Sequence, residues 1–255
     1  TVETRPTAFD QFPLRFSPSN RLSLVADLPR FTQTNRGQPY DDDDNPVLNT
    51  EWMSNAREQY ANLIAQVVRT EGNILIGMPS YEEAAWAHDF IQTLSVDKRC
   101  LVDESTTADE TEELLEGFFS DGTAILCTSL RGTITEGVDF DDDKLHTCLN
   151  IGVPLPPSDS LNKAVEKAYQ QAIDSTSGRE AAQRIPSTRK VRQSIGRVIR
   201  GTEEVGVRIV ADQRYGSDED VNLRNQLSPQ QQREFTLIEP DEIGAAITRF
   251  WNQTQ

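Results

Sequence analysis

The sequence predicts an α/β fold, a parallel sheet with helices on both faces. Short, nearly continuous apolar runs alternate with segments of helical periodicity through the main body of the chain. Such runs mark strands buried on both faces, and strict alternation of strand and helix sets each strand parallel to its neighbours. A length of 255 residues suffices for a substantial core, while a hydrophobic content of 36% and a mean hydropathy of -0.56 describe a very polar surface.

In order along the chain, Phe12-Pro-Leu-Arg-Phe-Ser-Pro18 carries too much proline for a helix, whereas Arg21-Leu-Ser-Leu-Val-Ala26 alternates as a strand does. Asn35 to Asn45, with Gly37, Pro39 and Asp41 to Asp44, reads as an exposed acidic loop. It divides an extended lead-in, residues 1–48, from a main body, residues 49–255. Within the body, strands are expected at Asn73-Ile-Leu-Ile-Gly77, Lys98-Arg-Cys-Leu-Val102, Thr123-Ala-Ile-Leu-Cys-Thr128, Leu145-His-Thr-Cys-Leu-Asn-Ile-Gly152 and Val205-Gly-Val-Arg-Ile-Val-Ala211. Helices are expected near residues 51–70, 81–95, 108–120, 160–175 and 188–200, and a last one from Asp241 to Trp251.

A net charge of -16 and a pI near 4.5 argue at first against a nucleic-acid partner, because phosphate binding wants lysine and arginine. Lys98, Lys144, Lys163, Lys167 and Lys190 are the only lysines, and acidic residues are spread throughout. This composition is expected of a halophilic protein, whose self-repulsion salt screens. The sign of the total therefore says little about partners; what matters is that Arg179, Arg184, Arg189, Arg192, Arg197 and Arg200 cluster in one region. No run approaches a membrane span and the N-terminus lacks a signal peptide's apolar segment, so a cytoplasmic protein is expected, and the absent initiator Met points to a piece of a longer one. Cys100, Cys127 and Cys148 lie far apart in or beside apolar runs, and His88 and His146 stand alone; structural roles are expected for all five, and no metal site.

The octet Gln193-Ser-Ile-Gly-Arg-Val-Ile-Arg200 lies within the arginine cluster. At about 100° per residue, Arg197 falls about 40° to one side of Gln193 and Arg200 about 20° to the other, with Val191, Ile195, Val198 and Ile199 roughly opposite. Gly201 stands where a helix C-cap is expected. The pattern fits a solvated helix face and a face reaching for a ligand equally well.

Ligands of open parallel sheets bind outside the carboxyl ends of the strands, so the residues after each run are the informative ones. Ser80 reads either as a helix cap or as the start of a phosphate site, and Tyr81 either as a packing residue or as a platform for a base. The segment Ser129-Leu-Arg-Gly-Thr-Ile-Thr-Glu-Gly-Val-Asp-Phe140 gathers glycines, hydroxyls and Arg131 in a loop able to hold phosphate oxygens. Asp139 there suits a sugar hydroxyl, although Gly137 and Asp139 also suit a plain turn. In Val153-Pro-Leu-Pro-Pro-Ser-Asp-Ser160 the prolines end a strand, and Ser158 or Ser160 starts the next helix. Asp212-Gln-Arg214 is open between an ion pair that orders its own loop and a ligand contact.

Taken in this order, the segments resemble the second RecA-like motor domain of superfamily 2 helicases, in the Rad3-like branch of the XPD and DinG helicases. Met78-Pro-Ser-Tyr81 resembles motif IV, Thr135-Glu-Gly-Val-Asp-Phe140 motif V and Gln193-x-x-Gly-Arg-x-x-Arg200 motif VI. Gly152-Val-Pro-Leu-Pro156, Asp212-x-Arg214 and Phe16-Ser-Pro-Ser-Asn-Arg-Leu22 match flanking segments, the last of them the one after motif III, so the resemblance covers nearly the whole chain.

The resemblance implies a RecA-like, P-loop NTPase-type sheet. It implies that Arg197 and Arg200, with Gln193 beside them, reach the terminal phosphates of ATP, which a first motor domain holds together with Mg2+. It places Glu136, Gly137, Asp139 and Gly196 on the nucleotide side, and Ser80, Tyr81, Arg131 and Thr133 against single-stranded DNA. The sequence contains no Gly-x-x-x-x-Gly-Lys-Ser/Thr loop and no Asp-Glu-x-His box, and it lacks the iron-sulfur cysteines that many members carry in the first lobe. The chain alone is therefore expected to hold neither MgATP nor a cluster and to be inactive. The other reading is a noncatalytic RecA-like module that binds nucleic acid or a protein partner.

Overall fold

The computed structural model describes residues 17–254 except 105–106, 139, 141–143, 174–175, 200 and 219, with the backbone alone at residues 50 and 136. Strands run over Arg21–Ala26 (β1), Ile74–Met78 (β2), Arg99–Val102 (β3), Ala124–Ser129 (β4), Thr147–Ile151 (β5), Gly206–Ala211 (β6) and Thr236–Ile238 (β7). They form one sheet in the order β3-β4-β2-β5-β6-β1-β7, and every pair is parallel. The strand β7 has no apolar run to announce it; it pairs with Leu24–Ala26 at the sheet edge. The segment Arg21–Ala26 is an interior strand, aligned residue for residue with Gly206–Ala211, so the described part of the lead-in packs into the same sheet as the main body.

Helices cover Gln33–Arg36 (α1), Asn55–Val67 (α2), Tyr81–Gln92 (α3), Ala108–Phe119 (α4), Ile134–Gly137 (α5), Ser160–Ala172 (α6), Ile185–Ile195 (α7), Pro229–Glu234 (α8) and Ile243–Thr254 (α9). Successive strand residues face opposite sides of the sheet. Ile74, Ile76, Ile125, Cys127, Leu149 and Ile209 pack with residues of α2, α3 and α9 on one face. Leu75, Leu126, Cys148 and Val210 pack with Phe118 of α4 and with Val191 and Ile195 of α7 on the other. Burying each Leu, Ile or Val in this way stabilises the fold by about 1.5–3 kcal/mol, and the alternation explains why the strands read as continuous apolar runs.

Local chemistry starts the helices. Ser54, Ser80, Thr107 and Ser228 accept the first free N–H groups of α2, α3, α4 and α8. The helix α6 starts at Ser160, as expected, and Asp159 is its cap, accepting from Asn162 N at 2.7 Å. A carboxylate is the stronger acceptor at a helix start, where the dipole also favours negative charge. The loop expected over Asn35 to Asn45 is exposed in its acidic part, Asp41 to Asn45, where the Asp41 carboxylate accepts from the backbone N–H groups of Asp43 and Asn45, whereas Asn35 and Arg36 end α1 and Pro39 is buried.

The helix expected over 188–200 ends early. A π-helical turn over Glu180–Arg184 leads directly into α7, and Gly196, not Gly201, is the C-cap. Arg197 therefore lies beyond the helix, and the Gln193-Arg197-Arg200 stripe is not a helical one; Arg200 lies outside the described residues. The apolar half of that pattern survives, since Val191, Ile195, Val198 and Ile199 are all buried. Val198, beyond the end of the helix, packs so closely over Gly206 at the start of β6 that a Cβ there would overlap it. Among the described residues, no helix is long and apolar enough to cross a membrane, and no group of three or more His, Cys, Asp or Glu is placed to hold a metal ion.

Candidate functional site

All strand carboxyl ends lie along one edge of the parallel sheet, and the segments leaving that edge carry Ser80, Tyr81, Arg131 and Thr133, whereas Gln193, Gly196 and Arg197 lie on and after α7, which leads into the amino end of β6. Asn150, 1% exposed on β5, anchors α7. Its Nδ2 donates to Val191 O at 3.3 Å and its Oδ1 accepts from Ser194 Oγ at 3.0 Å. Ser187 Oγ adds a bond to Pro154 O at 3.0 Å, so the helix is tied both to the strand and to the loop that follows it.

Arg197 leaves the end of α7 and reaches α5. Its Nη1 donates to Val138 O at 2.7 Å and its Nε to Thr135 O at 3.3 Å, so the guanidinium spans the backbone on either side of Glu136 and Gly137. Thr135 is itself buried and donates through Oγ1 to Gly132 O at 3.0 Å. Gly137 is exposed, and a Cβ there would meet nothing within 4 Å. Gly196 is exposed at the turn, and Gln193 is exposed three residues before it. Asp139 and Arg200 lie outside the described residues, as does the side chain of Glu136.

The other loop residues assemble around Gly132. A Cβ at this position would lie 2.6 Å from Tyr81 Oη, 3.1 Å from Ser129 O and 3.2 Å from Asp103 Oδ2, so the Tyr81 hydroxyl reaches the loop that carries Arg131 and Thr133. Arg131 and Thr133 are exposed on either side of it. Arg131 Nη2 donates to Leu155 O at 2.9 Å, which links the loops after β4 and β5. Ser80 is engaged in its own helix, accepting from Glu83 N at 3.3 Å, so the cap reading is realised in this arrangement. Asp103 escaped the sequence reading. It is 3% exposed and accepts from Thr128 Oγ1 at 2.6 Å, bracing the strand that leads into the Arg131 loop. Its signal was positional: it is the first residue after β3, at the same edge as the other loops.

The Asp212–Arg214 question resolves as an internal pair. Arg214 Nε and Nη2 donate to the two Asp212 oxygens at 2.7 and 2.6 Å, and Phe31 N donates to Asp212 Oδ2 at 3.0 Å, which fastens the loop after β1 to the loop after β6. Cys127 and Cys148 are buried and Cys100 is half-buried, all as free thiols. Desolvation pushes the Cys148 thiol up to about 12, so it is not a nucleophile near neutral pH.

Residues 63–230 match the family model described as the helicase C-terminal domain. The chain is 30% identical over 139 residues to a protein of Caenorhabditis elegans named regulator of telomere elongation helicase 1 homolog, a match covering 51% of this chain and 13% of that protein. It is 25% identical over 218 residues to the general transcription and DNA repair factor IIH helicase subunit XPD/RAD3 of Saccharomyces cerevisiae, covering 74% of this chain and 28% of that one. A solved structure titled XPD helicase superposes with a TM-score of 0.59 at 14% identity over 86% of this chain and 35% of its own, which shows a shared RecA-like helicase fold. The chain thus spans between 13% and 35% of the length of these proteins.

Proposed function

Because the chain belongs to the helicase C-terminal domain family, in its XPD/DinG-like branch, we propose that it is the second motor domain of an ATP-dependent DNA helicase. In this role a first motor domain holds ATP and Mg2+, together with any iron-sulfur cluster, and this domain closes over the nucleotide. Arg197 and Arg200 then set positive charge where negative charge develops on the transferring phosphoryl group; arginine fingers of this kind raise rates by about 10³–10⁵. Gln193 and Gly196 complete that side, the glycine by letting the chain turn off the helix. Glu136, Gly137 and Asp139 line the nucleotide side of the neighbouring segment.

The observation that carries the reading is the seat of Arg197 between the carbonyls of Thr135 and Val138. These bonds tie the segment read as nucleotide-lining to the segment read as arginine finger. The same loop begins with Arg131, Gly132 and Thr133 beneath Tyr81, where a base stacks and backbone phosphates meet Arg131, with Ser80 at the adjoining helix start. One twelve-residue stretch from Ser129 to Phe140 therefore joins the DNA side to the ATP side, which is the coupling a motor needs.

In the helicase that contains both motor domains, Arg197→Ala and Arg200→Ala are each expected to lower ATP turnover by about 10³-fold or more while ATP binding and thermal stability change little. Near-normal turnover in both variants overturns the finger assignment. This chain by itself is expected to show no DNA-stimulated ATPase activity.

A further inference from the structure

Four arginines surround one small cavity on the same sheet edge, in a chain whose net charge is -16. Arg30 comes from the loop after β1, Arg214 from the loop after β6, and Arg179 and Arg184 from the π-helical turn before α7. The space is about 130 Å³, and its apolar walls include Leu155, Val221 and Leu223. Arg30 and Arg214 are engaged by carboxylates: Arg30 by Asp218 at 2.7 Å and by the exposed Asp220 at 3.5 Å, Arg214 by Asp212. The side chains of Arg179 and Arg184 make no ion pair or hydrogen bond with any described residue.

The π-helical turn brings those two arginines together. Pro186 lacks an N–H and cannot continue ordinary helical bonding, and Ile185 N–H instead bonds to Glu180 O, five residues back. In an α-helix, side chains five positions apart project about 140° from one another. The wider π turn carries Arg184 back to the side of Arg179, so both line the same cavity.

Charge and size together select the ligand. Guanidinium forks match phosphate oxygens in pairs, and among the described residues no carboxylate pairs with two of the four here. Sites for whole small molecules measure about 300–1,000 Å³, so this space takes a single anionic group. We propose that the cavity is a binding site for one phosphoryl group, supplied by the backbone of single-stranded DNA. That source rests on the motor-domain reading above, whereas the phosphoryl chemistry does not. The cavity continues the DNA track: Leu155, whose carbonyl accepts from Arg131, is also one of its walls. The sheet order β2-β5-β6-β1 then sets the loop after β1 about three strand spacings, roughly 14 Å, from the loop after β2 that carries Tyr81.

The test compares the protein with the double variant Arg179→Gln/Arg184→Gln, titrating oligothymidylate and, separately, inorganic phosphate over a range of salt. Circular dichroism checks that the fold is kept, and Arg184→Lys, which keeps the charge, serves as a second variant. The double variant is expected to bind oligothymidylate roughly tenfold or more weakly, with the slope of log K against log salt reduced by about 0.7, the contribution of one single-strand phosphate. Arg184→Lys should retain the slope, and Tyr81→Ala should weaken oligothymidylate binding without changing it. Loss of phosphate binding with oligothymidylate binding intact overturns the DNA source. Equal binding of both ligands by both proteins overturns the site itself. If the unaltered protein binds no oligothymidylate but loses phosphate binding in the double variant, the DNA reading of the domain fails while the phosphoryl site stands.

Discussion

Arg57 on α2 and Glu83 on α3 are both fully buried and bonded twice, Nη1 to Oε2 at 2.9 Å and Nη2 to Oε1 at 3.0 Å. Arg57 also donates to the carbonyls of Arg36 and Gly37 and lies 4.4 Å from the centre of the Trp86 ring, while Arg36 makes a second contact to Glu83. Such a pair ties α1, α2 and α3 together behind Tyr81. Removing one partner strands a buried charge, so Arg57→Ala is expected to cost about 3–5 kcal/mol, read as a lowered urea midpoint. The double change Arg57→Met/Glu83→Leu should cost less than the single one. A loss under about 1 kcal/mol in Arg57→Ala would mean that Arg36 alone satisfies Glu83. Neither residue is legible as a partner in the sequence: 26 positions separate them, and each occupies an ordinary position in its own helical pattern. Tyr81 and Arg131 stand out in the sequence because each follows a strand, and strand ends are where such sheets bind ligands; their contact with DNA is the proposal made above.

At the scale of elements, α7 shows how far periodicity reaches. The apolar side of the helix followed from spacing alone, and Val191 and Ile195 are buried as that spacing requires. Its end did not, because Gly196 and Gly201 are both acceptable stops in the sequence, and the structure ends the helix at Gly196. Its position on the sheet rests on Asn150, a polar residue in the middle of a strand that otherwise reads as apolar. Asn150→Ala removes the donor to Val191 O and the acceptor for Ser194 Oγ. Leaving such buried groups unmatched costs about 1–3 kcal/mol. Amide hydrogen exchange should accelerate in Ile185–Ile195 more than in Ile74–Met78; equal acceleration in both would show that Asn150 holds the sheet rather than the helix. The short strand β7 and the π-helical turn over Glu180–Arg184 were beyond sequence reading for related reasons. Three residues are too few to display a period, and a single π turn has no period of its own in the sequence to announce it.

For the whole molecule, a net charge of -16 over 255 residues makes self-repulsion a term in stability. Raising KCl from about 0.1 M to about 1 M shortens the screening length from about 10 Å to about 3 Å, and the thermal midpoint is expected to rise across that range. A flat or falling midpoint would show that the acidic surface is already neutralised by its own ion pairs. The α/β class, the parallel sheet and the helicase resemblance were determined by the sequence alone, since apolar period and motif spacing are local properties that survive without coordinates. Only the tertiary structure decided that Arg21–Ala26 is an interior strand, that Arg197 seats itself on the Thr135–Val138 backbone, and that Arg30, Arg179, Arg184 and Arg214 meet at one cavity. The physical reason is that these contacts are made across crossovers: Arg30 and its partner Asp218 are 188 positions apart. No local pattern records which strand ends the sheet order will bring side by side.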